Sequence, residues 1–340
     1  MSSVTIHHVA RRAGVSIKTV SRVLNLEPNV RPDTRARVLE AVEALNYRPN
    51  QSARSLAGSK SFLICLFYDN PSPAYNSDVQ LGTISRCRDA GYHLIVEPIE
   101  NAAAGLAGAV RATLATLKVD GVILTPPVSD NAEVLDVVEQ AGVPYVRIAP
   151  DRDIDRAARV HMDDRLAAYD MTERLIRDGH SDIGFIIGHP DHGASHLRLE
   201  GYEAAMRAHG LAVRPDRVIQ GRFSFESGLR AAEILLSGER PTAVFASNDD
   251  MALGVIAFAG RVGVSVPRDL SVVGFDDTPS AQIVWPRLTT VRQPIVEMAA
   301  AAADLLISGE ARRGAAAGTP PSRLLDFEII VRDSAAPLRG

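Results

Sequence analysis

The stretch Val4-Thr5-Ile6-His7-His8-Val9-Ala10-Arg11-Arg12-Ala13-Gly14-Val15-Ser16-Ile17-Lys18-Thr19-Val20-Ser21-Arg22-Val23-Leu24-Asn25 reads as two short helices around a tight turn. Thr5 caps the first, from about Ile6 to Ala13. Gly14 permits the positive φ of the turn, and Ser16 caps the second, from about Ile17 to Asn25. Pro32 suits the first turn of a third helix running to about Leu45. Ile6, Val9, Ala10, Val15, Val20, Val23, Val38, Val42 and Leu45 then supply one small core, with Ala10 and Val20 at the crossing of the first two helices. The outward face of the second helix carries Ile17, Lys18, Ser21 and Arg22. In a DNA major groove, Arg22 is placed to bond a guanine edge and Ile17 to meet a thymine methyl. Thr19, Asn25 and Asn29 are better placed for phosphates.

Charge supports a polyanionic partner for this head. Residues 1–60 hold ten Lys/Arg and four acids, a balance of +6, so the rest of the chain carries −10 of the total of −4. The 340 residues exceed one ordinary core, and 46% hydrophobic with 23% charged residues describes a globular chain. No apolar run reaches the roughly 18–20 residues of a membrane span, and residues 1–10 lack a charged leader followed by an apolar stretch. The expected location is the cytoplasm. Cys65 and Cys87, without a CxxC, read as reduced, buried thiols.

From Ser61 onward strand-like and helical segments alternate. Candidate strands are Phe62–Tyr68, His93–Glu97, Gly121–Leu124, Tyr145–Ile148, Ile183–Ile187, Val244–Ala246 and Val272–Phe275, and Asp78–Ala90 and Leu199–His209 are helical. This predicts doubly wound parallel sheets, in two lobes rather than one. Ligands in such folds sit beyond the C-terminal ends of the strands. That rule points to Tyr68–Asn76, Thr125–Pro127, Gly188–Arg198, Ser247–Asp250 and Asp276–Thr278.

The head, with Leu45-Asn46-Tyr47-Arg48-Pro49-Asn50 and Ala53-Arg54-Ser55-Leu56, closely resembles the lactose-repressor (LacI/GalR) family of bacterial transcription regulators. The resemblance continues through Leu199-Glu200-Gly201-Tyr202, Asn248-Asp249-Asp250-Met251, Val273-Gly274-Phe275-Asp276-Asp277 and Leu288-Thr289-Thr290-Val291-Arg292-Gln293-Pro294. It implies an all-α helix-turn-helix head (1–49), a hinge (50–61) and a body (62–335) of two lobes of the periplasmic sugar-binding-protein type. Lobe one is expected at about 62–160 plus 292–322, and lobe two at about 161–291 plus 323–335. It also implies DNA contacts from Thr5, Ser16, Tyr47 and Asn50, and a hinge helix that folds on operator DNA. In that helix Leu56 wedges into the minor groove with Ala53 beside it. His8, where the family has an acid, and Arg31, where it has a Ser or Thr cap, each imply a capping loss of roughly 0.5–1 kcal/mol.

For the body, the resemblance implies that Arg198, Asn248 and Asp276 fix ligand hydroxyls, that Phe223 stacks on a ring face, and that Tyr75 and Asn76 reach in from the first lobe. Gln293, at a crossover, touches ligand or ties the strands. A departure at Asp69–Ala74 bears on the first-lobe contacts. The expected effector is a sugar or sugar derivative, with a purine or nucleoside as the alternative, since Phe223 stacks on either. His189, Asp191, His192 and His196 lie together but lack a metal-binding pattern, and read as a mobile loop over the cleft. No cofactor is expected. Phosphate-loop, dinucleotide and nucleophile-elbow motifs are missing, so the chain does not read as an enzyme. A transport-type solute-binding protein does not account for the DNA-binding head. The expected assembly is a homodimer on near-palindromic operator DNA. No leucine heptads follow Arg332 to support a tetramer.

Overall fold

The computed structural model describes residues 4–24, 29–47, 60–100 and 105–338. It divides into two units at Phe62/Leu63.

In the first unit, helices α1 (Ile6–Ala13), α2 (Ile17–Leu24) and α3 (Pro32–Ala44) enclose a core of Val9, Ala10, Val20, Val23, Val38, Ala41 and Tyr47. Gly14 adopts φ 65°, which lets Val15 N–H return to the Ala10 carbonyl at 3.1 Å and turns the chain into α2. Ser16 Oγ accepts from Thr19 N–H at 3.1 Å, capping α2. The capping loss expected at His8 does not arise. Its imidazole Nδ1 accepts the Thr5 N–H at 3.1 Å, the bond a capping-box acid would make. Arg31 supplies no side-chain cap, but Pro32 sits at the start of α3, where a missing N–H costs no helical bond.

The second unit begins with a parallel sheet whose strands are β1 (Leu63–Tyr68), β2 (His93–Pro98), β3 (Gly121–Leu124), β4 (Tyr145–Ile148) and β5 (Ala158–His161). Helices α4 (Pro73–Asp89), α5 (Leu106–Thr116) and α6 (Ala132–Gln140) connect them. The chain then crosses to a second lobe. There α7 (Asp164–Arg177), β6 (Ile183–Ile187), α8 (Gly193–Ala208), β7 (Val218–Gln220), α9 (Phe225–Leu235), β8 (Ala243–Ala246), α10 (Asp249–Arg261), β9 (Ser271–Asp276), α11 (Pro279–Ile283) and β10 (Thr289–Arg292) follow in order. It returns through α12 (Ile295–Ile307), α13 (Glu310–Ala316) and β11 (Ser322–Leu324), and crosses again to β12 (Glu328–Ile330).

The sheet orders are β11-β5-β4-β3-β1-β2 and β12-β10-β9-β8-β6-β7, parallel throughout except for the β12 edge. β3, β4, β8 and β9 are buried along their whole length, which is why they read as unbroken apolar runs. β11 pairs with β5, so the last segment of lobe one runs through Leu324 rather than ending at residue 322. Five short strands escape the sequence reading: β5, β7, β10, β11 and β12. Among the described residues no helix is long and apolar enough to cross a membrane.

Packing in lobe two sets the geometry of the cleft. α9 and α10 cross at Gly228 and Gly254, where a Cβ on Gly254 would stand 2.4 Å from the Phe225 carbonyl oxygen. Gly254→Ala is therefore expected to destabilise the body by about 1–3 kcal/mol, although alanine favours a helix. The check is a lower urea midpoint at unchanged m-value. A rise in stability would mean that the crossing is looser than described.

Candidate functional site

On the head, α2 is anchored by the fully buried Val20 and Val23, which turns Ile17, Lys18 and Arg22 outward. Ile17 is 40% exposed, free to meet a partner on this face. Ser16, Thr19, Arg22 and Asn29 share one shallow groove with Arg31, Thr34 and Arg37 of the α3 start. These last three were not assigned to DNA from sequence, although the arginines add positive charge beside α2. Thr19 Oγ1 is 2.9 Å from Ser16 Oγ, so this pair is engaged in the cap. Thr5 is exposed and Ser21 half-buried. Tyr47 differs from expectation: it is 9% exposed and packs into the head core, so its ring serves the fold first. Asn25, Asn50, Ala53 and Leu56, with nearly all of the hinge, lie outside the described residues.

In the body, a cleft opens between the two lobes beyond the C-terminal ends of their strands. Its walls bring together Tyr75, Arg198, Phe223, Asn248 and Asp276, five of the six expected ligand residues, together with Gln293. The cavity amounts to about 440 Å³, part of it open to solvent. The two lobes are in contact across it. Ser72 Oγ of lobe one donates to Asp250 Oδ2 of lobe two at 2.7 Å.

Arg198 is the centre of the site. Its Nε and Nη2 each lie 2.8 Å from Asp164 Oδ1, its Nη1 donates to the Ser247 carbonyl at 2.5 Å, and Asp276 Oδ1 is 4.0 Å away. The guanidinium lies 3.6 Å from the centroid of the Phe275 ring. Gln293 Nε2 donates to Asp276 Oδ1 at 2.5 Å, which fixes that carboxyl for a ligand hydroxyl. Burial raises the Asp276 pKa well above the usual carboxylate range, against the pull of Arg198 and with the push of Asp249. Asp249, fully buried behind it and pushed up to about 7 by burial, accepts from Thr290 Oγ1 at 2.6 Å and from Thr278 N–H at 2.7 Å. Tyr75 is also raised by burial and by the nearby Asp276 and Asp164, which places this lobe-one phenol against the lobe-two carboxyls.

Asn248 caps α10: its Oδ1 accepts Met251 N–H at 3.0 Å and its Nδ2 donates to the Phe223 carbonyl at 3.0 Å. That second bond holds Phe223 at φ 59°, and Ala149 (φ 43°) and Asp276 (φ 123°) are the other cleft residues with left-handed backbones. Such strain gathers where a surrounding structure over-determines a binding site. Asn76 does not line the cleft. Its Nδ2 donates to the Asn70 carbonyl at 2.8 Å, so it positions Asn70, which does line it. His192 lines the cleft with its ring edge-on to Phe223, 5.3 Å between centroids, and Gly193–Ala208 is helix rather than a loop.

Asp164 and Ala149 were missed from sequence, and Asn70 and Ser72 fell within the Tyr68–Asn76 strand end without being named as contacts. Asp164 follows β5, a strand too short and polar to recognise, so the strand-end rule had no strand to act on.

Comparison with known proteins agrees with both units. The model of the bacterial regulatory proteins, lacI family, matches residues 5–50, and that of a periplasmic binding protein-like domain matches residues 172–335. Catabolite control protein A of Priestia megaterium is 36% identical over 308 residues, spanning 89% of this chain and 92% of that protein. The solved complex of the transcriptional regulator CelR with cellobiose superposes with a TM-score of 0.74 at 30% identity, covering 98% of this chain and all of the other. The lac repressor dimer bound to operator and the anti-inducer ONPF gives 0.77 at 29% identity, over 98% and 100%. With head and body both matched, this chain belongs to the lacI family of bacterial regulatory proteins and is a DNA-binding transcriptional regulator.

Proposed function

We propose that this regulator represses carbohydrate-utilisation genes and that a sugar-like ligand bound in the cleft sets its affinity for operator DNA. The observation that carries the reading is the buried array of Arg198, Asp276, Asn248 and Gln293 facing Phe223 and Tyr75. Buried polar groups that fix hydroxyls, beside aromatic rings that cover an apolar ring face, are the chemistry of sugar recognition. The likeness to a regulator solved with cellobiose supports the same ligand class. The likeness to a repressor dimer on operator supports two heads on a near-palindromic site. Ile17, Lys18, Ser21 and Arg22 read bases, and the basic groove holds phosphates, so affinity falls steeply with salt. Ligand acts through its different affinity for the open and closed bodies, coupled to the hinge. The buried carboxyls Asp249 and Asp276 serve binding and packing, and no catalytic step is assigned to them.

A thermal-shift panel of mono- and disaccharides, sugar phosphates and purines tests the reading. A ligand at a hundred times its dissociation constant should add about 2.7 kcal/mol to stability. The expected result is a sugar that raises the midpoint, loses this effect in Asp276→Ala, and changes retention of operator DNA in a gel. Stabilisation by purines alone would overturn the sugar assignment.

A further inference from the structure

We propose that the cleft is built for an uncharged polyhydroxy ligand and excludes phosphorylated and carboxylated sugars. The proposal rests on reading the cleft as the effector site. Four helices begin at its walls: α4 behind Ser72, α7 at Asp164, α8 behind His192 and α10 behind Asn248. A helix N-terminus ordinarily offers free N–H groups and partial positive charge to an anion. Here each of the four already meets a carboxylate of this chain.

At α7, Asp163 accepts Leu166 N–H at 2.9 Å, and Asp164 lies in the first turn. At α10, Asp249 and Asp250 occupy the first turn. α4 has no acid in its first turn, but Asp250 reaches across the cleft to Ser72. α8 has none either, and there Asp151 of the β4–β5 loop packs against its first residue. A Cβ on Gly193 would stand 2.0 Å from Asp151 Cβ and 3.0 Å from Asp151 Oδ2. Gly193 leaves room for that carboxylate to approach from the opposite lobe.

The side chains agree with the helices. Among the described residues lining the cleft, Arg198 is the single cation, and it is held by Asp164 on two nitrogens. His192 is neutral, because burial with His189 and Arg198 nearby pushes it down to about 3. Asp276 adds no positive charge in either protonation state. Arg222, the next cation along, is exposed and lies 3.3 Å from His189 Nε2. An incoming anion would meet an Arg198 whose charge Asp164 already neutralises, and would be desolvated beside the acidic side chains of Asp164 and Asp276. A neutral polyol can donate to Asp164 and Asp276 and accept from Arg198 without disturbing the pair.

Titration calorimetry of the full chain with glucose, galactose, ribose and cellobiose, set against glucose 6-phosphate and galacturonate, tests this. The expected result is binding within the neutral set, with anionic counterparts roughly 100-fold weaker or more. A second arm uses Asp151→Ala, which uncovers the N-terminus of α8 from an exposed loop. It is expected to bind inorganic phosphate about tenfold more tightly than the parent. An anionic sugar that binds more tightly than its neutral parent, and loses binding in Arg198→Ala, would overturn the proposal and leave the effector reading intact. Failure of Asp151→Ala to gain phosphate would overturn the helix-terminus argument. If neither class binds or alters operator affinity, the effector reading falls and this proposal with it.

Discussion

Arg198→Ala is expected to abolish ligand binding in the cleft and to destabilise the body by about 3–5 kcal/mol. The guanidinium and Asp164 are each 5% exposed in their side chains, as is Asp276, so water does not replace the lost partner. Without the cation, two carboxyls face each other in a buried site that already raises the Asp276 pKa. The Ser247 carbonyl loses its donor, and Phe275 loses the cation over its face. Asp164→Asn in the same chain should recover part of the loss, because the residual amide is cheaper to bury than an unpaired charge. Urea unfolding of the parent, both single variants and the double variant measures the coupling. A loss below about 1 kcal/mol for Arg198→Ala would show that the pair does not organise the cleft.

The second large effect lies in the head. Arg22→Ala is expected to weaken operator binding by roughly 10- to 100-fold and to relax discrimination at one base pair. Arg22 is exposed on the face of α2 that also carries Ile17 and Lys18, while Val20 and Val23 hold the opposite face in the core. Arg37→Ala, at the α3 end of the same groove, should instead weaken all sequences alike and reduce the salt slope by about 1. Anisotropy titrations against single-base variants of the operator, at several salt concentrations, separate the two. A uniform loss in Arg22→Ala would assign Arg22 to a phosphate.

The head was legible because its signals are local. Gly14, Ser16 and the apolar spacing fix the turn and the core within some forty residues. Tyr47, expected at DNA, also packs into the head core, a second role that its position in the sequence does not show. In the body, seven strands were legible as apolar runs. β5, β7, β10, β11 and β12, with segments such as Val218-Ile219-Gln220 and Glu328-Ile329-Ile330, were not, because each is three or four residues long and partly polar, whereas β3, β4 and β8 of the same length are wholly buried and mostly apolar. The same loss hid Asp164, which depends on β5 for its place. Asn76 was assigned to ligand, but its amide turns to Asn70; that choice is made by packing at the start of α4, which no spacing rule records.

The threading of the body has a consequence for synthesis. The strands that complete the sheets, Ser322–Leu324 for lobe one and Glu328–Ile330 for lobe two, leave the ribosome after all the other strands of those sheets. The described head is finished by Tyr47, on the order of 15–50 s earlier at ordinary elongation rates. During that interval a nascent chain carries a folded DNA-reading head on lobes whose β5 and β10 lack the strands that pair with them. A chain stopped before residue 322 stays in that condition, exposed to proteolysis and to edge-to-edge aggregation. The segment from Ser322 to Ile330 therefore acts as a checkpoint on manufacture: only a chain translated through these two strands can present both sheets complete, and so a regulator able to respond to its signal.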